Sequence, residues 1–132
     1  MSAKKGLEKW HGVIEKGSSP ADLMAIIRED AVFHSPVVHT PQQGRKLVVA
    51  YLAAAGQTLG NESFAYVREL VDGENAMLEF TTEMDGIKVN GIDLIRFDAD
   101  GLIVDFKVMV RPLKAVNKVW EQMAVMLERM KA

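Results

Sequence analysis

Asp93 is the side chain in this sequence best placed for acid/base chemistry. It is the centre of an Ile-Asp-Leu run at 92–94, and in an extended strand it shares one face with Ile95 and Phe97. If that face is covered, its apolar surroundings raise the pKa of the carboxyl, so that a neutral Asp93 could donate a hydrogen bond to a ligand carbonyl. The alternative is a residue at a sheet edge or bulge, bonded to the backbone beside Asn90-Gly91.

A matching base could come from one of three histidines, since neutral imidazole accepts protons near pH 7. His34 directly precedes Ser35, His39 lies in the loop that follows, and His11 lies near the N-terminus. Strand alternation limits the choice: if Ser35 points inward with Phe33, then His34 points outward, as a histidine on the outer sheet face or at a dimer contact. The pattern leaves the identity of the base open.

Nucleophilic and metal chemistry have less support. Ser35 is not part of a G-x-S-x-G elbow, so it is interpreted as a residue that caps a turn or lines a pocket. The three histidines show no H-E-x-x-H, H-x-x-E-H or H-x-H spacing. With no cysteine, thiolate catalysis and disulfides are excluded. We therefore expect neither a metal nor a cofactor.

Composition narrows the class of protein further. The 132 residues are 48% hydrophobic and 26% charged, with a formal net charge of −2. This balance gives no basic footprint for nucleic acid and no polybasic membrane anchor. No apolar run approaches the roughly 20 residues of a membrane span, and the N-terminus lacks the apolar segment of a secretory signal. We expect one cytoplasmic domain over residues 1–132.

Helical periodicity predicts four helices. The first covers about 4–17 and turns Leu7, Trp10 and Ile14 to one side. Ser19-Pro20 is typical of an N-cap followed by proline at the first helical position, and it starts a second helix over about 20–29. An alanine- and leucine-rich stretch predicts a third over about 45–59. The terminal helix carries an apolar stripe of Leu113, Val116, Trp120, Met123, Leu127 and Met130.

Strands are predicted mainly in the second half of the chain. Tight-turn signals occur at three Asp-Gly pairs: 72–73, 85–86 and 100–101. They separate four runs of β-forming residues: 63–71, 76–84, 87–97 and 102–110. A short strand over 31–35 precedes a loop over 37–44, and Asn90-Gly91 predicts a β-bulge. The element order indicates an α+β fold, with a curved antiparallel sheet and helices gathered on one face around a pocket.

Two segments resemble the nuclear transport factor 2-like superfamily: residues 30–37, with Gly44-Arg45 opening the next helix, and residues 91–103. Within it, the sequence is most similar to the SnoaL-like and ketosteroid isomerase branch, over roughly residues 6–111. The resemblance implies a cone-shaped fold, in which a curved sheet wraps around the N-terminal helices and an extra helix follows. It also implies a homodimer.

The isomerases of this branch use an aspartate base, a tyrosine and a neutral carboxylic acid. By resemblance, the base position falls on Ser35, which argues against steroid-type isomerisation. The tyrosine position falls on Trp10 or His11, and the acid position falls on Asp93. The epoxide hydrolases of the superfamily resemble this chain less, because Gly91 stands where their arginine would be and residues 108–110 contain no acid for their second aspartate.

These arguments define a candidate site around a central pocket. Asp93, His34 and His39 are the candidate catalytic residues. Tyr51 and Tyr66 could donate hydrogen bonds to a ligand or be tethered in the core. The candidate ligand-binding residues are Trp10, His11, Phe33, Ser35, Tyr51, Ile95, Phe97, Phe106, Val108 and Val110. The sequence predicts a protein that binds a small hydrophobic ligand, and it leaves two alternatives open: acid/base isomerase, cyclase or lyase activity on a carbonyl compound, and a binding or dimerisation module without activity.

Overall fold

Helices cover one face of a curved, unclosed six-stranded sheet in the computed structural model. The structure describes the backbone of residues 2–131 and the side chains of residues 3–129. The helices are α1 (Ser2–Glu15), α2 (Pro20–Ile26), α3 (Arg45–Leu59) and α4 (Leu113–Lys131). The strands are β1 (Ile27–His34), β2 (Gln42–Gln43), β3 (Ala65–Asp72), β4 (Asn75–Met84), β5 (Ile87–Phe97) and β6 (Ile103–Arg111). The α+β fold class expected from the sequence is confirmed.

The sheet has the strand order β2-β1-β6-β5-β4-β3. Strands β3 to β6 form the predicted antiparallel meander, whereas β1 pairs with β6 in parallel. Alternation along β5 buries Ile95 and Phe97 completely on the face that the helices cover. This inner face carries the hydrophobic core, and the opposite, outer face carries most of the sheet's charged residues.

The second helix is shorter than predicted. Ser19 caps it by accepting a hydrogen bond from the backbone N–H of Asp22 at 3.2 Å, but it ends at Ile26 because Ile27 is already extended and pairs with Ile103. In the resulting strand, Arg28 and Asp30 lie two residues apart on one face and form an ion pair, with Nε to Oδ1 at 2.6 Å. The prediction of a helix to residue 29 was therefore wrong, because residues 27–29 belong to the paired strand β1.

The predicted bulge at Asn90-Gly91 was also wrong. Strand β5 pairs with β4 in one unbroken register, and Gly91 lies opposite Phe80. A Cβ at Gly91 would collide with the Phe80 ring and would lie 2.7 Å from the carbonyl oxygen of Met109. The glycine permits close packing in a regular strand. The loop predicted over 37–44 also contains the two-residue strand β2.

The core-facing side of the terminal helix agrees with its predicted stripe only in part: of the stripe, Met123 is buried and Leu127 packs partly buried against the core. Ala115, Val119 and Met123 are buried, whereas Leu113 and Trp120 are 74% and 59% exposed. Met130 lies outside the described side chains. An amphipathic stripe leaves the rotation of a helix about its axis loosely defined, and packing against the rest of the fold decides it.

Candidate functional site

A cavity of about 300 Å³ lies between the inner face of the sheet and the helices. Most of its lining is apolar. Val119 and Met123 of α4 contribute to the lining, and its aromatic part consists of Trp10, Phe33, Phe64, Tyr66, Phe80 and Phe106. The volume lies at the lower end of the range for small-molecule sites, and an apolar wall with few polar groups is typical of them.

Asp93 brings a carboxyl to this cavity. Its side chain lines the wall, and the residue is only 6% exposed. The hydroxyl of Tyr66 donates a hydrogen bond to Asp93 Oδ2 at 2.7 Å, and the indole Nε1–H of Trp10 donates to the Tyr66 oxygen at 3.0 Å. Three separate elements, α1, β3 and β5, thus contribute one member each to a hydrogen-bond chain that ends at the carboxyl.

A local irregularity in β3 accompanies the placement of Tyr66. Tyr66 lies opposite Phe80, but Arg68 lies opposite the next residue of β4, Glu79, so that Val67 is an extra residue in the strand. Such a bulge changes the direction of neighbouring side chains. With Tyr66 on the inner face, its hydroxyl reaches Asp93, 27 positions further along the chain.

Burial controls the protonation of this pair. Desolvation raises the pKa of Asp93 from its usual 3.8 to about 7, although the hydrogen bond from Tyr66 favours the ionised form and opposes the rise. Burial, and then the nearby charge of Asp93, raise the pKa of Tyr66, so the phenol stays protonated. Near neutral pH, Asp93 can therefore donate a hydrogen bond when neutral and accept a proton when ionised.

The three histidines lie away from the cavity wall. His34 faces the outer side of the sheet, where its Nε2 lies 2.9 Å from Asp105 Oδ1. His11 is paired with Glu69 at 2.8 Å, with both side chains more than a third exposed. His39 is exposed in the loop after β1. Among the described residues, Tyr66 and Asp93 are the titratable groups that line the cavity.

The other candidate residues divide between the wall and the layers behind it. Trp10, Phe33, Phe106 and Val108 line the cavity. Tyr51 stacks on Phe33 with ring centroids 5.1 Å apart, outside the lining. Ser35 accepts a hydrogen bond from the backbone N–H of Val37 at 3.1 Å, which is the geometry of a turn. The structure also leaves His11, Ile95, Phe97 and Val110 outside the lining.

Several residues that line the cavity were not among the candidates predicted from the sequence. Phe64 and Phe80 have the spacing of core residues, and Ser18 and Asn61 lie in turns after α1 and α3. Nothing in their sequence context marks a site. For Tyr66 the signal was its residue type alone, and the sequence did not link it to Asp93.

A membrane-spanning helix and a metal-binding cluster are both absent from the described residues. Across residues 2–131, no helix has the length and apolarity to cross a membrane. No group of three or more His, Asp or Glu side chains in that part of the chain is arranged to hold a metal ion.

Comparison with known proteins identifies the family. The model of the SnoaL-like domain matches residues 7–106. A steroid delta-isomerase from Pseudomonas aeruginosa shares 38% identity with this chain, with a TM-score of 0.90, and the alignment covers 99% of this chain and 96% of that one. The chain therefore belongs to the SnoaL-like domain family and has the nuclear transport factor 2-like fold.

More distant structures agree on the fold. A bacterial protein with a cystatin-like fold from Silicibacter pomeroyi is 30% identical over 91% of this chain and 83% of its own, with a TM-score of 0.83. A protein described as a SnoaL-like polyketide cyclase from Jannaschia is 12% identical over 89% of this chain and 92% of its own, with a TM-score of 0.69. No match to the chain was found among curated proteins.

Proposed function

We propose that this protein binds a small, mostly apolar carbonyl compound in the cavity, with neutral Asp93 as the hydrogen-bond donor to the carbonyl oxygen. The observation that carries the proposal is a carboxyl buried in the wall of an apolar cavity, with one oxygen held by Tyr66. A bound ligand would cover the other oxygen of the carboxyl, and a covered polar group without a partner is costly, so the site favours ligands with a complementary oxygen.

The test compares acetylnaphthalene with ethylnaphthalene, which has nearly the same shape but no oxygen. We expect the ketone to bind about fivefold more tightly at about pH 5.5, because one hydrogen bond contributes roughly 1 kcal/mol. At about pH 8.5, above the pKa of Asp93, the advantage should disappear, since the ionised carboxyl has no hydrogen to donate.

Asp93→Asn is the matched variant, because an amide keeps a donor at every pH. It should retain the preference for the ketone and lose its pH dependence, whereas Asp93→Ala should lose the preference altogether. Equal affinities of the wild-type protein for the two compounds at low pH would contradict the proposal.

A second candidate function is isomerase, cyclase or lyase chemistry with Asp93 as the acid. A pKa of about 7 suits proton transfer at neutral pH, and the likeness to the steroid delta-isomerase supports this class of reaction. The described lining offers no histidine as base, which favours binding over catalysis. NMR can separate catalysis from binding by following the exchange of the α-protons of a bound ketone with solvent deuterium. Exchange that is lost in Asp93→Asn indicates catalysis. Exchange no faster than in buffer indicates a protein that only binds.

The expected homodimer also remains a proposal. Leu70, Leu94 and Met109 lie on the outer face of the sheet and are 52%, 36% and 50% exposed. Exposed apolar clusters of this kind support association of a sheet face with a second copy. Sedimentation velocity should find a dimer that Met109→Asp disrupts, while Leu113→Asp, on α4, leaves it intact. A monomeric wild-type protein would overturn the proposal.

A further inference from the structure

The hydrogen-bond chain that ends at Asp93 has a direction, and Trp10 sets it. The indole Nε1–H can only donate, because the nitrogen lone pair belongs to the aromatic ring. It lies 3.0 Å from the Tyr66 oxygen, so that oxygen is the acceptor. The single hydroxyl hydrogen of Tyr66 is then directed at Asp93 Oδ2, 2.7 Å away.

This direction distinguishes the two oxygens of the carboxyl. Oδ2 accepts from Tyr66, and among the described residues no other group hydrogen-bonds to the carboxyl. No buried side-chain oxygen or nitrogen in that part of the chain lacks a partner, so the remaining oxygen, Oδ1, must retain some accessible surface. Asp93 itself lines the cavity, which therefore is where Oδ1 is accessible.

We propose that Trp10 is a positioning residue that commits the Tyr66 hydroxyl to Asp93 Oδ2, so that the proton of neutral Asp93 resides on Oδ1, where a ligand reaches it. The site then offers a ligand one donor, from Asp93, instead of two donors from Asp93 and Tyr66. The consequence for a ligand rests on the proposed function, but the direction of the chain does not, because it is a property of the free protein.

The first test uses the wild-type protein without ligand. The two tryptophans give two indole N–H resonances in a nitrogen-proton correlation spectrum. We expect the Trp10 resonance to shift with pH at the midpoint of Asp93, because the members of such a chain polarise one another. The Trp120 resonance should not follow, since this residue is 59% exposed on α4. A Trp10 resonance that does not respond to the Asp93 titration would overturn the proposal.

Charges near the chain require a control. Glu69 raises the pKa of Tyr66 through its charge, and its partner His11 packs edge-on against the Tyr66 ring, with ring centroids 5.6 Å apart. The same experiment is therefore repeated in His11→Gln, which replaces the imidazole with an amide that carries no charge. If the pH response of the Trp10 resonance disappears in this variant, it reported His11 and the proposal fails.

The second test is a cycle of variants read by carbon NMR of the Asp93 carboxyl. Trp10→Phe removes the N–H and keeps an aromatic ring, so Tyr66 donates less strongly to ionised Asp93. We expect the Asp93 midpoint to rise by at least about half a pH unit, while the matched control Trp120→Phe leaves it unchanged. Tyr66→Phe should raise the midpoint further.

The combined variant separates positioning from packing. If Trp10 acts through Tyr66, adding Trp10→Phe to Tyr66→Phe shifts the midpoint no further. An equal additional shift would mean that Trp10 acts through its packing on Phe106, where the ring centroids are 5.0 Å apart, and would overturn the proposal. Should Trp10→Phe fail to fold, the wild-type indole measurement still decides. Neither test contains a ligand, so failure of the proposed function leaves both results intact.

Discussion

Replacing Asp93 by asparagine should stabilise the folded protein at alkaline pH and have a smaller effect in acid. The folded state holds the pKa of Asp93 at about 7, whereas the unfolded chain releases this proton near pH 3.8. Between these two values the folded state binds more protons than the unfolded state, so the stability of the wild-type protein falls as pH rises. Above about pH 7 the penalty is complete, because the carboxyl is then ionised in both states.

The size of the effect follows from the two pKa values. At about 1.4 kcal/mol per pH unit, the complete penalty is about 4 kcal/mol. Less than half of it is already present at about pH 5, so about 3 kcal/mol accumulates between about pH 5 and about pH 8. The asparagine amide cannot ionise, and its oxygen can still accept from Tyr66. The gain of Asp93→Asn over wild type in free energy of unfolding should therefore grow by about 3 kcal/mol over this interval.

Urea unfolding at the two pH values measures this quantity, with fluorescence and circular dichroism as probes. Comparison with the wild-type protein at each pH cancels the contributions of all groups that the two proteins share. Asp72→Asn is the control, because Asp72 is exposed at the end of β3 and should show no pH-dependent gain. The reasoning is refuted if the effect of Asp93→Asn is the same at both pH values.

The remaining predictions concern packing and the outer face of the sheet. Gly91→Ala should lower the free energy of unfolding by about 1–3 kcal/mol, because the added Cβ collides with the Phe80 ring. Gly12→Ala is the control, since nothing lies close to the added Cβ, and it should not destabilise the protein. Thermal unfolding measures both effects. His34→Ala should change stability by less than about 1 kcal/mol, since the pair with Asp105 is part-exposed. The His34→Ala variant should bind acetylnaphthalene with the affinity of the wild type. A large loss of affinity would instead place His34 in the site.

The sheet face that a side chain occupies and the start of a helix depend on residues nearby in the sequence, so both could be predicted from it. The alternation of β5 placed Asp93 on the same face as Ile95 and Phe97, and the structure buries all three. The alternation of β6 likewise turned Phe106 and Val108 inward, where both line the cavity. Strand periodicity repeats every two residues and helix capping spans about three, so both are visible in a single sequence.

Partners distant along the chain were decided by the tertiary structure. The bulge at Val67 accompanies the inward placement of Tyr66, packing turned Val119 and Met123 of α4 to the cavity wall, and Trp10 reaches Tyr66 across 56 positions. The sequence pointed to an acid at Asp93 but could not link it to Tyr66, which donates to it, or to Trp10, which donates to Tyr66. A local pattern states which face a side chain occupies, whereas the atoms it meets there depend on strand register and helix rotation, which only the packing of the whole chain determines.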